Sequence, residues 1–184
     1  HFSIGTIPSM KDRTITVNGV SKGFAMTGWR VGFIGAPLWI AKACNKIQGQ
    51  VTSATCAIAQ KATERAMLAE PRSTTQEMKD TFLRRRDMLV ELLKDIPGIK
   101  CNVPQGAFYV FPDISYFIGK SVNGKVMNTG SDLCMYLLEH SNVALVTGEA
   151  FGDSNCIRIS YASAEVVLIE AIKRLKKVLN ELEG

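Results

Sequence analysis

Two cations stand eight positions apart in the segment SKGFAMTGWRVG, residues 21–32: Lys22, beside Gly23, and Arg30, two residues after Gly28. A lysine amine becomes a nucleophile or a Schiff-base carrier when it is desolvated or set near a second cation, because both lower its pKa. Arg30 can supply that cation, and its forked guanidinium suits a phosphate dianion. The β-branched run RTITVNGVS, 13–21, leads into the lysine and is predicted to form a strand, a rigid element able to aim it. Gly23 and Gly28 allow backbone to approach a ligand closely. On residue type and spacing alone, a surface lysine and a surface arginine stay open beside this reading.

Other chemistries lack parts. A Ser-His-Asp or Cys-His system has only His1 and His140 to draw on, and His140 falls at the C-terminus of a predicted helix, a capping place. The five cysteines, at 44, 56, 101, 134 and 156, are odd in number and include no Cys-x-x-Cys pair. That pattern argues against a disulfide framework or metal site and predicts reduced, mostly buried thiols of a cytoplasmic protein. The segment GVSKG inverts the order a phosphate-binding P-loop needs. Arg84, Arg85 and Arg86 form a basic run, but no aromatic residues interleave with it, so it reads as a solvated helix face and no nucleic-acid partner is expected. Lys and Arg exceed Asp and Glu by 22 − 17 = 5, a modest basic bias that selects no partner. No apolar run approaches the ~18 residues of a membrane span, so no membrane partner is expected. The chain opens on His1 within an ordinary β-like stretch and reads as a fragment.

The elements that must position these residues follow from periodicity. After the 13–21 strand, RVGFIGAP (30–37) is predicted to be a second, buried strand stopped by Pro37. Helices are expected from Pro37 to about Gln50 and from about Ala54 to Glu70, the latter ended by Pro71. Residues 73–98 give the clearest helix, with a Ser73–Gln76 capping box, a Pro97-Gly98 stop, and Met78, Phe82, Leu89 and Leu93 on one stripe that Arg85 or Arg86 interrupts. Beyond Lys100, GAFYVFPDIS, NVALVTG and CIRISYA read as strands, SDLCMYLLEHS as a helix, and 116–131 as a loop. The tail is an amphipathic helix with Leu168, Ile172, Leu175, Leu179 and Leu182 on one face. Met26, Trp29 and the pair Phe108-Tyr109 read as packing residues. The fold class is α/β, strand–helix alternation followed by a small α+β unit.

The segment SKGFAMTGWRVG closely resembles the lysine segment of class I/II, fold-type I aminotransferases that use pyridoxal phosphate. Likeness to the bacterial and plant-plastid aspartate/prephenate branch continues through GQVTSATCAIAQKA, QGAFYVFPDIS, VTGEAFG and CIRISYA, and is collinear over almost the whole chain. The resemblance implies the C-terminal part of that fold: residues 1–72 ending the large cofactor-binding domain, 73–98 an interdomain helix, and 99–184 the small domain. It implies that Lys22 carries pyridoxal 5'-phosphate as a Schiff base, that Arg30 binds the cofactor phosphate, and that Arg158 grips the substrate carboxylate. An arginine between Ile157 and Ile159 on a buried strand needs an anion to offset its desolvation, and a salt bridge to a local Asp or Glu stays open.

The implied reaction is ping-pong transamination between an amino acid, aspartate first, and a 2-oxo acid, with the freed Lys22 amine as general base. The implied whole protein is a cytoplasmic homodimer about twice this length, so this chain alone is expected to be inactive. One position departs from the pattern: Gly19 stands where many relatives carry a phosphate-touching Ser or Thr. Three rivals remain: another fold-type I enzyme such as a lyase or a different amino-acid transaminase, an aminotransferase-like sensory domain of a transcription regulator, and an aldolase using Lys22 without cofactor. The last needs a barrel pattern that is not present.

Overall fold

The alternation at 13–21 produces strand β1 (Thr16–Gly19), which pairs antiparallel with β2 (Gly32–Gly35), Thr16 opposite Gly35 and Gly19 opposite Gly32. The computed structural model describes residues 2–68 and 73–182. It divides into two units, His1–Gln76 and Glu77–Gly184.

In the first unit, Pro37 sits at the N-cap of helix α1 (Leu38–Val51), and helix α2 (Ala57–Leu68) follows. The expected end of α2, at Glu70 and Pro71, lies outside the described residues. Val20, Met26, Val31 and Ala59 form a small core. The second strand is not buried as predicted: β2 is exposed along its length, as is β1 up to Gly19. A two-stranded ribbon leaves both faces open unless other elements cover them, so Val17, Phe33 and Ile34 meet solvent. Trp29, read as a packing residue, is likewise exposed.

The second unit holds the larger core. Helix α3 (Ser73–Lys94) enters it and stops four residues short of the predicted Gly98. Beyond Lys94 the chain tightens into turns, with the Ile96 amide donating to the Leu93 carbonyl at 3.1 Å. The side chain of Ser73, on which the predicted capping box depends, lies outside the described residues. Leu89 and Leu93 are fully buried, while Arg85 breaks the stripe with its guanidinium 5.8 Å from the Phe82 ring centre. Arg86 is half-buried and donates to Asp87 and to the Pro104 carbonyl, so the arginine run is not a wholly solvated face.

A three-stranded antiparallel sheet has the order β3 (Tyr109–Val110), β7 (Ile157–Ser160), β6 (Val146–Thr147). Two strands are much shorter than their apolar runs predict. Ala107 turns into the left-handed region (φ 60°) before β3, and Asn142 (φ 54°) caps a helix at the start of the other run. Residues 116–131 are not a plain loop. They contain a hairpin, β4 (Ser121–Val122) and β5 (Lys125–Val126), closed by Asn123-Gly124 with φ of 51° and 80°. Positive φ at both turn residues is what a two-residue hairpin needs, and Asn-Gly supplies it.

Helix α4 (Gly130–Ser141) opens with a capping box between Thr129 and Asp132. Asn142 caps its other end, while the His140 ring sits edge-on to Tyr136, centroids 4.2 Å apart. Helix α5 (Glu165–Leu179) buries the predicted stripe, and Leu182 continues it past the helix end. All five cysteines are free, and fewer are buried than predicted. Cys134 and Cys156 are buried, but Cys44 is exposed on α1 and Cys56 is exposed just before α2.

Candidate active site

Residues 20–31 close the β1–β2 ribbon at its Gly19–Gly32 end, so Lys22 and Arg30 lie on one loop. Three backbone bonds shape the lysine's turn. Val20 N donates to Val31 O at 3.4 Å, Phe24 N to Val20 O at 3.2 Å, and Ala25 N to Lys22 O at 3.3 Å. Buried Val20, Met26 and Val31 anchor the loop from within, and Lys22 stays exposed. Gly19 is fitted to the crossing, because a Cβ there would lie 3.1 Å from the Val31 carbonyl oxygen.

Arg30 has a left-handed backbone (φ 53°), a conformation that costs a residue bearing a Cβ about 1–2 kcal/mol. Its Nη1 donates to the Thr27 carbonyl at 3.0 Å, and among the described residues it has no carboxylate partner. Backbone strain of this kind persists where surrounding structure enforces it, and it clusters at ligand sites. Arg30, with Gly28, Thr52, Thr55 and Cys56, lines a hollow of about 770 Å³. The amides of Ala59 and Ile58, at the start of α2, hold the Cys56 thiol below its ordinary pKa. A guanidinium and the amide end of a helix make this hollow favourable to an anion. A Cβ at Gly28 would meet nothing within 4 Å, so the approach is open. Lys22 is not among the residues that line this hollow; it shares the loop with Arg30, and an amine and a guanidinium are the donor types that a phosphorylated aldehyde needs.

In the second unit, Arg158 lies on the central strand β7 between buried Ile157 and Ile159. Its guanidinium carbon is 4.4 Å from the Tyr109 ring centre and 4.5 Å from that of Phe151. It makes no ion pair among the described residues, so the local salt bridge left open by the sequence is not formed there.

The family model for "Aminotransferase class I and II" matches residues 3–175. The chain belongs to the class I and II aminotransferase family. It is 47% identical over 182 residues to the "Bifunctional aspartate aminotransferase and glutamate/aspartate-prephenate aminotransferase" of Petunia hybrida, covering 97% of this chain and 38% of that protein. It is 46% identical over 176 residues to an aspartate aminotransferase of Rhizobium meliloti, covering 95% of this chain and 43% of the other. The crystal structure of the Rhizobium meliloti aspartate aminotransferase superposes with a TM-score of 0.95 at 43% identity, over all of this chain and 46% of its own. The chain thus spans about two fifths of the length of the curated relatives it matches, and its fold is part of the fold-type I aminotransferase fold.

Lys22 and Arg30 lie on one loop of the first unit, and Arg158 stands in the other unit. Sequence reasoning missed the contact set of Arg158. Tyr109 read as packing and Phe151 as nothing at all, although the glycine-bracketed segment GEAFG was a visible turn signal. It also passed over Cys56 and Thr55, whose place in the hollow depends on how α2 returns to the loop.

Proposed function

We propose that this chain is the cofactor-attaching and carboxylate-binding part of an aspartate-type aminotransferase. The observation that carries the reading is the loop that holds Lys22 and the left-handed Arg30, whose guanidinium has no carboxylate partner among the described residues, at one end of a ribbon. Pyridoxal phosphate, when bound, supplies the electron sink that makes a substrate Cα–H acidic. Lys22 Nζ holds the cofactor and then accepts the Cα proton of the amino acid. Arg30 meets the phosphate through a charge-assisted bond, and Arg158 meets the substrate carboxylate. The assignment of residues 1–72 to the large domain, 73–98 to a linking helix and 99–184 to the small domain belongs to the same proposal. So do a homodimeric whole protein, a cytoplasmic location, and aspartate and a 2-oxo acid as substrates. The names of the relatives support aspartate and a 2-oxo acid as substrates, and their length supports a longer whole protein.

The test uses the full-length protein loaded with pyridoxal phosphate and reduced with borohydride. The peptide containing Lys22 gains the mass of the reduced cofactor, and a Lys22→Ala variant gains none. The same variant loses aspartate-to-2-oxo-acid transfer by about 10²–10⁴-fold or more. Label on a different lysine overturns the reading. Label on Lys22 without transfer to any 2-oxo acid selects the sensory-domain alternative.

A further inference from the structure

Arg158 is held in an unusual setting. It lies on the central strand of the β3–β7–β6 sheet, with ladder partners on both sides: Val146 pairs with Arg158, and Tyr109 with Ser160. Residues two apart on a strand share a face, so Tyr109 is the diagonal neighbour of Arg158 on β3. The second ring comes from outside the sheet. Phe151 closes a 3-10 turn, Gly148–Phe151, that rests on the residues just before β7: Gly148 N donates to Cys156 O at 2.8 Å, and Asp153 N to Gly148 O at 3.2 Å. A Cβ on Gly148 would lie 2.2 Å from the Asp153 carbonyl oxygen, so only glycine lets the turn sit this close. The loop before β3 is fixed as well, because the Tyr161 hydroxyl donates at 3.0 Å to the carbonyl of Ala107, the left-handed residue.

Both rings attract the guanidinium by its charge, yet a ring face offers no lone pair to its N–H groups. A cation held in place with no hydrogen bond or ion pair among the described residues is prepared for a planar, bidentate anion such as a carboxylate. Holding the fork before the ligand arrives reduces the ordering cost of binding. We propose that Tyr109 and Phe151 are positioning residues that pre-set the Arg158 guanidinium for a carboxylate. This rests on the reading of Arg158 as the substrate-carboxylate group, and it adds two residues that touch the arginine rather than the substrate.

The test measures calorimetric binding of succinate, a non-reacting dicarboxylate, to the full-length cofactor-loaded protein. Four variants are compared: Phe151→Leu and Tyr109→Leu remove a ring, while Phe151→Tyr and Tyr109→Phe keep it. Phe151 is half exposed, so its replacement is compatible with folding. Each leucine variant is expected to weaken succinate binding roughly tenfold, and to raise the KM for the amino acid with kcat changed by less than about twofold. The ring-retaining variants bind within about twofold of the parent protein. Leucine variants that bind as the parent does, ring-retaining variants that lose as much as the leucine ones, or a parent protein that binds no succinate would each overturn the proposal. Failure of the Lys22 labelling experiment leaves the succinate comparison standing, so the two readings fall separately.

Discussion

Cys134 and Cys156 are held as thiols by burial, each pushed up to about 11 from the ordinary 9.0. The charge of Glu149 adds to the effect at Cys134, and a bond to the Asp153 carboxylate adds to it at Cys156. A raised folded-state pKa means the folded form keeps its proton where the unfolded form has lost it. Stability from these thiols is therefore complete below pH 9.0 and is lost as pH rises toward 11. The urea midpoint of the second unit is expected to fall between about pH 9 and about pH 11, and a Cys134→Ala/Cys156→Ala variant to fall less steeply. Equal slopes would discount the thiols. At this scale the sequence was informative where a function is written in local words. Lys22, Arg30 and Arg158 each sit in a short segment that resembles the aminotransferase pattern, and the roles proposed for them follow that likeness. The contact of Tyr109 and Phe151 with Arg158 was not legible, because it arises from cross-strand register and from a turn folding back on Cys156.

The turn from Gly148 to Phe151 illustrates how an element can depend on one missing atom. A Gly148→Ala substitution drives a methyl into two backbone carbonyl oxygens, those of Asp153 and Cys156, at 2.2 Å and 2.3 Å. Backbone cannot swing aside as a side chain does, so a loss near the upper end of the overpacking range, about 2–3 kcal/mol, is expected in urea unfolding of this unit. A change below about 0.5 kcal/mol would show that the turn has freedom the packing denies it. The long helices were legible because α3 and α5 repeat their apolar residues over many turns. The strands of the second unit were over-extended on paper. An apolar run such as GAFYVFPD has strand composition throughout, yet a left-handed Ala107 and a proline leave only Tyr109–Val110 in the ladder. The β4–β5 hairpin was missed although Asn123-Gly124 announced it, since strands of two residues carry no periodicity.

Over the whole molecule, the two units differ sharply in what they bury. The second packs Leu89, Leu93, Ile114, Leu133, Leu137 and Ile157 with many others into one core, whereas the first has, among its described residues, four buried apolar ones. Residues 77–184 produced alone are therefore expected to unfold in a single cooperative urea transition, and residues 1–76 alone to show none, by circular dichroism and tryptophan or tyrosine fluorescence. A cooperative transition in the first segment would contradict this. That imbalance was not legible, because Val17, Phe33 and Ile34 have the composition of a buried sheet and the sequence does not say what covers them. Helix α5 carries a consequence for how the protein comes into being. It gives Leu168, Ile172, Leu175, Val178 and Leu179 to the second core, and Leu182 follows. During synthesis the chain leaves the ribosome N-terminus first, so this core waits open until Leu182 has cleared the exit tunnel. A premature stop codon a few turns upstream would cost the cell this entire unit, and chaperones that shield nascent apolar surface would have to hold it until α5 is made.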